Sequence, residues 1–200
     1  MSDAGGAGRV IAGTARGLRL LAPGPVTRPL SDRVKQTLFA ILGPRLAGAT
    51  LLDLFAGSGA AGIEALSRGA ARAIFIERDS KAAATVEANL DRAHMAGPAA
   101  RVIRRDVLSW LASADALASG PIDLAIVDPP YDQPELLAAT LALLGGSVSP
   151  MGASGIVVAK HFWKNEPAAS VGLLASERER RFGDTALTFY RVGEPAEARE

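Results

Sequence analysis

From residue 50 onward the chain repeats one pattern: a short apolar run, a turn, then a segment with helical spacing. LLDLF (51–55) precedes a helix expected near 59–68, AIFIE (73–77) one near 80–95, and RVIRR (101–105) one near 107–118. IDLAIV (122–127) leads through DPPY to a helix expected near 134–144, GIVVAK (155–160) is a fifth run, and TALTFYRV (185–192) is a β-branched and aromatic strand. Repeated strand–helix units predict an α/β fold, a mostly parallel sheet covered on both faces. The stretch SERERRFGD lacks an apolar helical face, so the last strand is expected to return antiparallel through a hairpin.

The polar residues fall at one place in this repeat. Asp53, Glu77, Asp106 and Asp128 each stand at or just past the C-terminal end of a successive expected strand. In a doubly wound sheet that edge binds ligands. Four acids there, with no cysteine or histidine among them, suit hydrogen-bond acceptors for a ligand. Carboxylates also suit a divalent cation, but the expected strand order spreads these four too widely for one ion, and no metal site is expected.

The loop Asp53-Leu54-Phe55-Ala56-Gly57-Ser58-Gly59-Ala60-Ala61-Gly62 permits a tight turn and a close ligand approach before a helix. A glycine turn that merely packs helix on strand has the same look. For a nicotinamide dinucleotide the acid four residues before Gly57 is misplaced, since it repels a pyrophosphate and attracts an ammonium or sulfonium. No lysine follows the glycines, so a nucleoside-triphosphate P-loop fails too. Glu77, one strand on, is placed to accept from both hydroxyls of a ribose. A cofactor with a cationic amino-acid end and a ribose fits, and S-adenosylmethionine is such a molecule.

Asp128-Pro129-Pro130-Tyr131 ends the IDLAIV run. Two prolines cannot continue a ladder, so the chain leaves the sheet rigidly. On its own the motif also reads as a strand-terminating turn. It gives one carboxylate, one carbonyl that cannot be displaced, and an aromatic face. That set matches an exocyclic amino group on a nucleobase, whose lone pair is delocalised into the ring. Hydrogen bonds from its protons to Asp128 and the Pro129 carbonyl favour a pyramidal nitrogen and stabilise the charge that grows on it.

Charge divides the chain. Residues 1–45 hold seven basic residues (Arg9, Arg16, Arg19, Arg28, Arg33, Lys35 and Arg45) against Asp3 and Asp32, a charge of +5, whereas the remainder carries −4 and the whole +1. Such an arm points to an anionic partner, or to a solvated basic face. Within it, 9–13 and 18–22 flank TARG as an expected hairpin, and Ser31 caps an expected helix through about Leu42 with Val34, Leu38 and Ile41 on one face. Gly43-Pro44 ends that helix. The absence of cysteine excludes a disulfide scaffold and suits a reducing cytosol. With no apolar leader and no uninterrupted apolar span, a cytoplasmic protein without a membrane segment is expected. Residues 1–45 are expected to form a basic extension, 46–193 the catalytic domain and 194–200 a disordered polar tail.

Together the stretches RVIAGTARGLRL, TRPLSDRVKQTLFAIL, LLDLFAGSGAAGIEALSRGA, VDPPY and FGDTALTFYR resemble the bacterial small-subunit rRNA guanine-N2 methyltransferase D family. The resemblance implies a Rossmann-like class I methyltransferase with a seven-stranded sheet and an antiparallel last hairpin. It implies S-adenosylmethionine held by Asp53, Phe55, Gly57, Ser58, Gly59, Glu77, Arg78, Asp106 and Val107, with Asp106 at the adenine amino group and Val107 beside the ring. Asp128, Pro129, Pro130 and Tyr131 form the catalytic cradle in this reading, and Arg9, Arg16, Arg19, Arg28, Arg33 and Lys35 contact RNA. The chain departs from the family at Leu30, where threonine is frequent, and at Lys160-His161, where some members carry acids. Leu30 lacks the hydroxyl that a cofactor contact there would use, which Ser31 could supply; Lys160-His161 receives no role, and His94 is expected on a helix surface.

The expected activity is methyl transfer to guanine N2 in 16S rRNA, within an assembling 30S subunit, by a monomer. An adenine-N6 or cytosine-N4 methyltransferase acting on DNA presents the same amine to DPPY. A catalytically inactive RNA-binding scaffold of this fold is the remaining alternative.

Overall fold

The computed structural model describes residues 7–24 and 30–193. The expectations for Arg28 and for the tail 194–200 therefore lie outside the described residues. The chain divides into two compact units, Met1–Asp106 and Val107–Glu200.

The first unit contains α1 (Asp32–Leu42), β1 (Thr50–Leu54), α2 (Ala60–Ser67), β2 (Arg72–Glu77), α3 (Ser80–Arg92) and β3 (Ala100–Arg104). Its strands lie in the order β3-β2-β1, all parallel, with Asp53 opposite Phe75 and Glu77 opposite Arg104. Ser31 caps α1 by accepting from the Val34 amide, and Asp79 caps α3 by accepting from Ala82 at 2.8 Å. The buried face of α1 is Val34, Leu38, Phe39 and Leu42, while Ile41 is only half-buried. α3 stops at Arg92, so His94 is not on the helix; it is exposed just beyond it, with φ 55.

The N-terminal arm follows a hairpin path without a strand ladder. Val10 donates to Leu18 and Gly17 to Val10, yet only Arg9 and Arg19 form a bridge. The reason is that residues 11–15 spend their amides on α2. Ile11 and Ala12 donate to the buried Glu64 carboxylate at 2.7 and 3.1 Å, and Ala15 donates to Ser67 Oγ at 3.0 Å. Gly13 permits this approach: its φ is +87, and a Cβ there would lie 1.7 Å from the Ser67 carbonyl oxygen.

The second unit contains α4 (Val107–Leu111), α5 (Ala114–Ser119), β4 (Ile122–Val127), α6 (Pro134–Leu144), β5 (Met151–Phe162), β6 (Ser170–Val171), β7 (Leu174–Phe182) and β8 (Thr185–Val192). The order is β4-β5-β8-β7-β6: β4 and β5 are parallel, and the other pairs antiparallel. The α/β fold with its antiparallel C-terminal hairpin is as expected. SERERRF is strand β7, and the seven expected strands are joined by the two-residue β6.

One expectation fails in this unit. The single helix over 107–118 is two, because Ser113 is extended (φ −102, ψ 156) and returns both its amide and its hydroxyl to the Trp110 carbonyl. The break lets Asp115 accept from the fully buried Trp110 indole at 3.2 Å. Among the described residues no helix is long and apolar enough to cross a membrane.

Glu64 is wholly buried and also accepts from Arg68 at 2.6 Å. Replacing it with alanine orphans two backbone donors and a guanidinium, at roughly 1–3 kcal/mol for each unsatisfied group. Glu64→Ala should therefore lose about 3 kcal/mol in urea unfolding and expose Arg9, Arg16 and Arg19 to limited trypsin digestion.

Candidate active site

In the first unit the chain leaves β1 through a turn of left-handed residues: Phe55 at φ 63, Gly57 at φ 57 and Gly59 at φ 76. For a phenylalanine that conformation costs about 1–2 kcal/mol. Such strain persists where surroundings enforce it, and here two carboxylates do. Glu77, the last residue of β2, accepts from the Gly57 amide through Oε2 and from the Asp79 amide through Oε1, both at 2.9 Å. Asp53, 3% exposed, accepts from the Gly62 amide at 2.9 Å in the first turn of α2. Asn89 of α3 adds a third tie, donating to the Ser58 carbonyl at 2.9 Å and exchanging two hydrogen bonds with Leu21. Gly62 brings α2 against β2 so closely that a Cβ would lie 2.2 Å from the Phe75 ring.

Asp53, Glu77 and Asp106 stand at or just past the carboxyl ends of β1, β2 and β3, an edge that presents acceptors. A pyrophosphate would meet repulsion there. A sulfonium or ammonium finds attraction, and a ribose finds lone pairs, since an ionised carboxylate with two amides bound still has acceptor capacity. The acceptor set therefore fits S-adenosylmethionine, which Asp53 and Glu77 could hold. Ser58 is buried with its carbonyl engaged, Arg78 is exposed, and Asp106 is half-buried two residues past β3. Val107 is buried at the first position of α4.

In the second unit Asp128 directly follows β4. Pro129 is buried and Pro130 exposed. The Tyr131 hydroxyl is tied to Thr185 Oγ1 at 2.7 Å, which fixes its ring. The surprise is Lys160 of β5: it is 7% exposed, donates to Asp128 Oδ1 at 2.6 Å, and holds its ammonium 4.9 Å from the Tyr131 ring centroid. Burial pushes the Asp128 carboxyl up, and the Lys160 charge offsets part of that rise. Burial pulls Lys160 down, but the attraction of Asp128 and Tyr131 outweighs it and raises the ammonium's pKa. A cavity of about 430 Å³ opens here, lined by Pro129, Pro130, Tyr131, Leu137, Lys160 and Phe162 among others. His161 is 3% exposed and bonded to Thr188 Oγ1 and the Phe162 carbonyl, both at 2.9 Å, as a satisfied core histidine.

Sequence reasoning gave Lys160 no role. The usable signal was a lysine in a run as apolar as GIVVAK, where a buried ammonium demands a counter-charge. Lys35 corrects the opposite way: it is not a surface contact for RNA but fully buried, donating to the Arg9 carbonyl and lying 3.7 Å from Asp32. Burial lowers its pKa against the pull of Glu64 and Asp32. Arg16, Arg19 and Arg33 are exposed, and Arg9 is exposed but paired with Asp32 at 3.0 Å.

The glycine loop under its carboxylates, the DPPY turn with its pinned ring and the mixed α/β sheet define a class I methyltransferase. The chain belongs to the family described as Conserved hypothetical protein 95, whose model matches residues 8–191. It is 39% identical over 184 residues to the Bacillus subtilis (strain 168) protein named "Putative rRNA methyltransferase YlbH", covering 92% of this chain and 98% of that one. It is 42% identical over 137 residues to the Escherichia coli (strain K12) protein named "Ribosomal RNA small subunit methyltransferase D", covering 68% of this chain and 66% of that one. The solved structure of "Putative methyltransferase yhhF" from Escherichia coli superposes with a TM-score of 0.81 at 34% identity, covering 94% and 99% of the two chains.

Glu77 carries the loop geometry through the Gly57 and Asp79 amides, and its role as ribose acceptor is tested by its removal. Glu77→Ala should weaken S-adenosylhomocysteine binding at least tenfold in calorimetric titration, on the order of one lost charge-assisted hydrogen bond. The same variant should speed hydrogen exchange at the Gly57 amide.

Proposed function

We propose that this protein methylates the exocyclic N2 of a guanine in 16S rRNA, presented by an assembling small subunit in the cytoplasm. The chain is an S-adenosylmethionine-dependent rRNA methyltransferase by its family, and methyltransferases of this fold are solved with S-adenosylhomocysteine bound. The observation that carries the finer reading is the Asp128 carboxylate at the rigid end of β4, beside a tyrosine whose ring is pinned through Thr185. The likeness to the small-subunit methyltransferase D proteins supports small-subunit rRNA as the substrate, and guanine N2 in particular rests on the family resemblance of the sequence motifs.

S-adenosylmethionine supplies a methyl group on a sulfonium, which leaves with the C–S electron pair on sulfur. Asp53 and Glu77 hold and orient that donor. Tyr131 stacks the target base, and Asp128 with the Pro129 carbonyl accepts from the two amine protons, drawing the nitrogen toward a pyramidal, nucleophilic form. Holding the amine at a fixed point removes part of the entropy cost of a chance encounter. The alkylated nitrogen is strongly acidic, so its surplus proton passes to Asp128 or water without a tuned general base.

Methylation of unmodified 30S subunits, with the product base mapped by mass spectrometry, tests the reading. N2-methylguanosine is expected; an unmethylated subunit together with N6-methyldeoxyadenosine or N4-methyldeoxycytidine formed in a parallel reaction on duplex DNA would reassign the enzyme. Asp128→Ala should reduce turnover by at least a hundredfold, in the range of a lost transition-state hydrogen bond, with S-adenosylhomocysteine affinity kept within about twofold. Reversing Arg16, Arg19 and Arg33 to glutamate should weaken RNA binding and flatten its dependence on salt; unchanged affinity would make the arm a solvated face.

A further inference from the structure

Lys160 is the one cradle residue that neither the sequence nor the family reading placed. Its β5 neighbours Val157, Val158 and Ala159 are all buried apolar residues, so the position has no need of an ammonium for packing. Burying one costs several kcal/mol unless it is paired. The pairing is specific: Nζ donates to Asp128 Oδ1 at 2.6 Å and stands 4.9 Å from the Tyr131 ring centroid, touching two residues assigned to hold the target. Oδ2 of Asp128 accepts no hydrogen bond from a described residue.

We propose that Lys160 is a positioning residue for amine methylation: by gripping Asp128 Oδ1 it fixes the carboxylate's rotamer and ionisation and reserves Oδ2 for the exocyclic amine. The inference rests on the reading of Asp128 as the acceptor for that amine. Two consequences follow from the pair. Without the ammonium the carboxylate rotates freely about χ2 and offers its oxygens at random. It also loses the charge that opposes the upward push of burial, so the carboxyl stays protonated to higher pH, and a protonated acid donates where it must accept. The groups facing Asp128 in the second unit are Lys160 from β5 and Tyr131 from its own turn, and only Lys160 is cationic.

The test compares wild type with K160Q, K160R, D128N and the double variant D128N/K160Q on unmethylated 30S subunits. K160Q should lower kcat by roughly 10- to 100-fold, the worth of one hydrogen bond to a charged group. KM and S-adenosylhomocysteine affinity should stay within about twofold, and the acid limb of the kcat–pH profile should move to higher pH. K160R keeps the charge and should restore most of the turnover. The double variant replaces the ion pair with two amides and leaves no unpaired buried charge, so it tests the coupling even if K160Q fails to fold. Relative to D128N alone, the added K160Q should change kcat less than twofold, because Lys160 acts through Asp128. Wild-type kcat and an unmoved acid limb in K160Q would overturn the inference, as would a multiplicative further loss in the double variant. Wild type that leaves guanine N2 unmethylated removes the functional reading itself, a result separable from K160Q behaving as wild type.

Discussion

A loop that must present its backbone to a ligand cannot also satisfy that backbone by regular pairing. In the first unit the debt falls on side chains. Glu77 takes the Gly57 and Asp79 amides, Asp53 takes Gly62, and Asn89 supports the Ser58 carbonyl. These acceptors hold a left-handed phenylalanine in place and position the first turn of α2 on Phe75. The same carboxylates set the sign of the field at the strand ends, so the chemistry that shapes the loop also selects a cationic donor over a phosphate. In the second unit the corresponding constraint is the proline pair, which ends β4 and leaves Asp128 at a fixed point.

Elements with their own periodicity were legible. The strands from LLDLF to TALTFYRV, the cap at Ser31, and the antiparallel return after a polar stretch all follow from local residue choice. The glycine loop and DPPY were legible as chemistry because proline and glycine restrict the backbone at known places. What escaped depended on partners distant in sequence. Ser113 breaks a helix by bonding Trp110, a competition that helical spacing does not register. Ile11 to Ala15 forgo a ladder because Glu64 and Ser67, more than fifty residues on, accept their amides.

The two misjudged lysines show the same limit in electrostatic form. Lys35 sat in a basic arm and counted toward its charge, yet its ammonium is enclosed and serves the Arg9 carbonyl. Lys160 sat in a core strand and drew no role, yet its buried ammonium pairs with Asp128 at the end of β4. A charge count adds side chains by position along the chain, whereas the field at a surface adds them by exposure. Removing Lys35 from the arm's outward charge leaves the exposed arginines to carry it among the described residues.

Asn89 deserves a last consideration for what it joins. One amide group exchanges two hydrogen bonds with Leu21 of the arm and gives a third to Ser58 of the glycine loop. It cannot turn to follow one partner without releasing the other. The arm and the loop thus share a joint, and a ligand that stiffens either side spares the other part of its ordering cost. Linkage would run both ways: any factor by which a partner bound at the arm changed ligand affinity at the loop would be returned by that ligand to the partner.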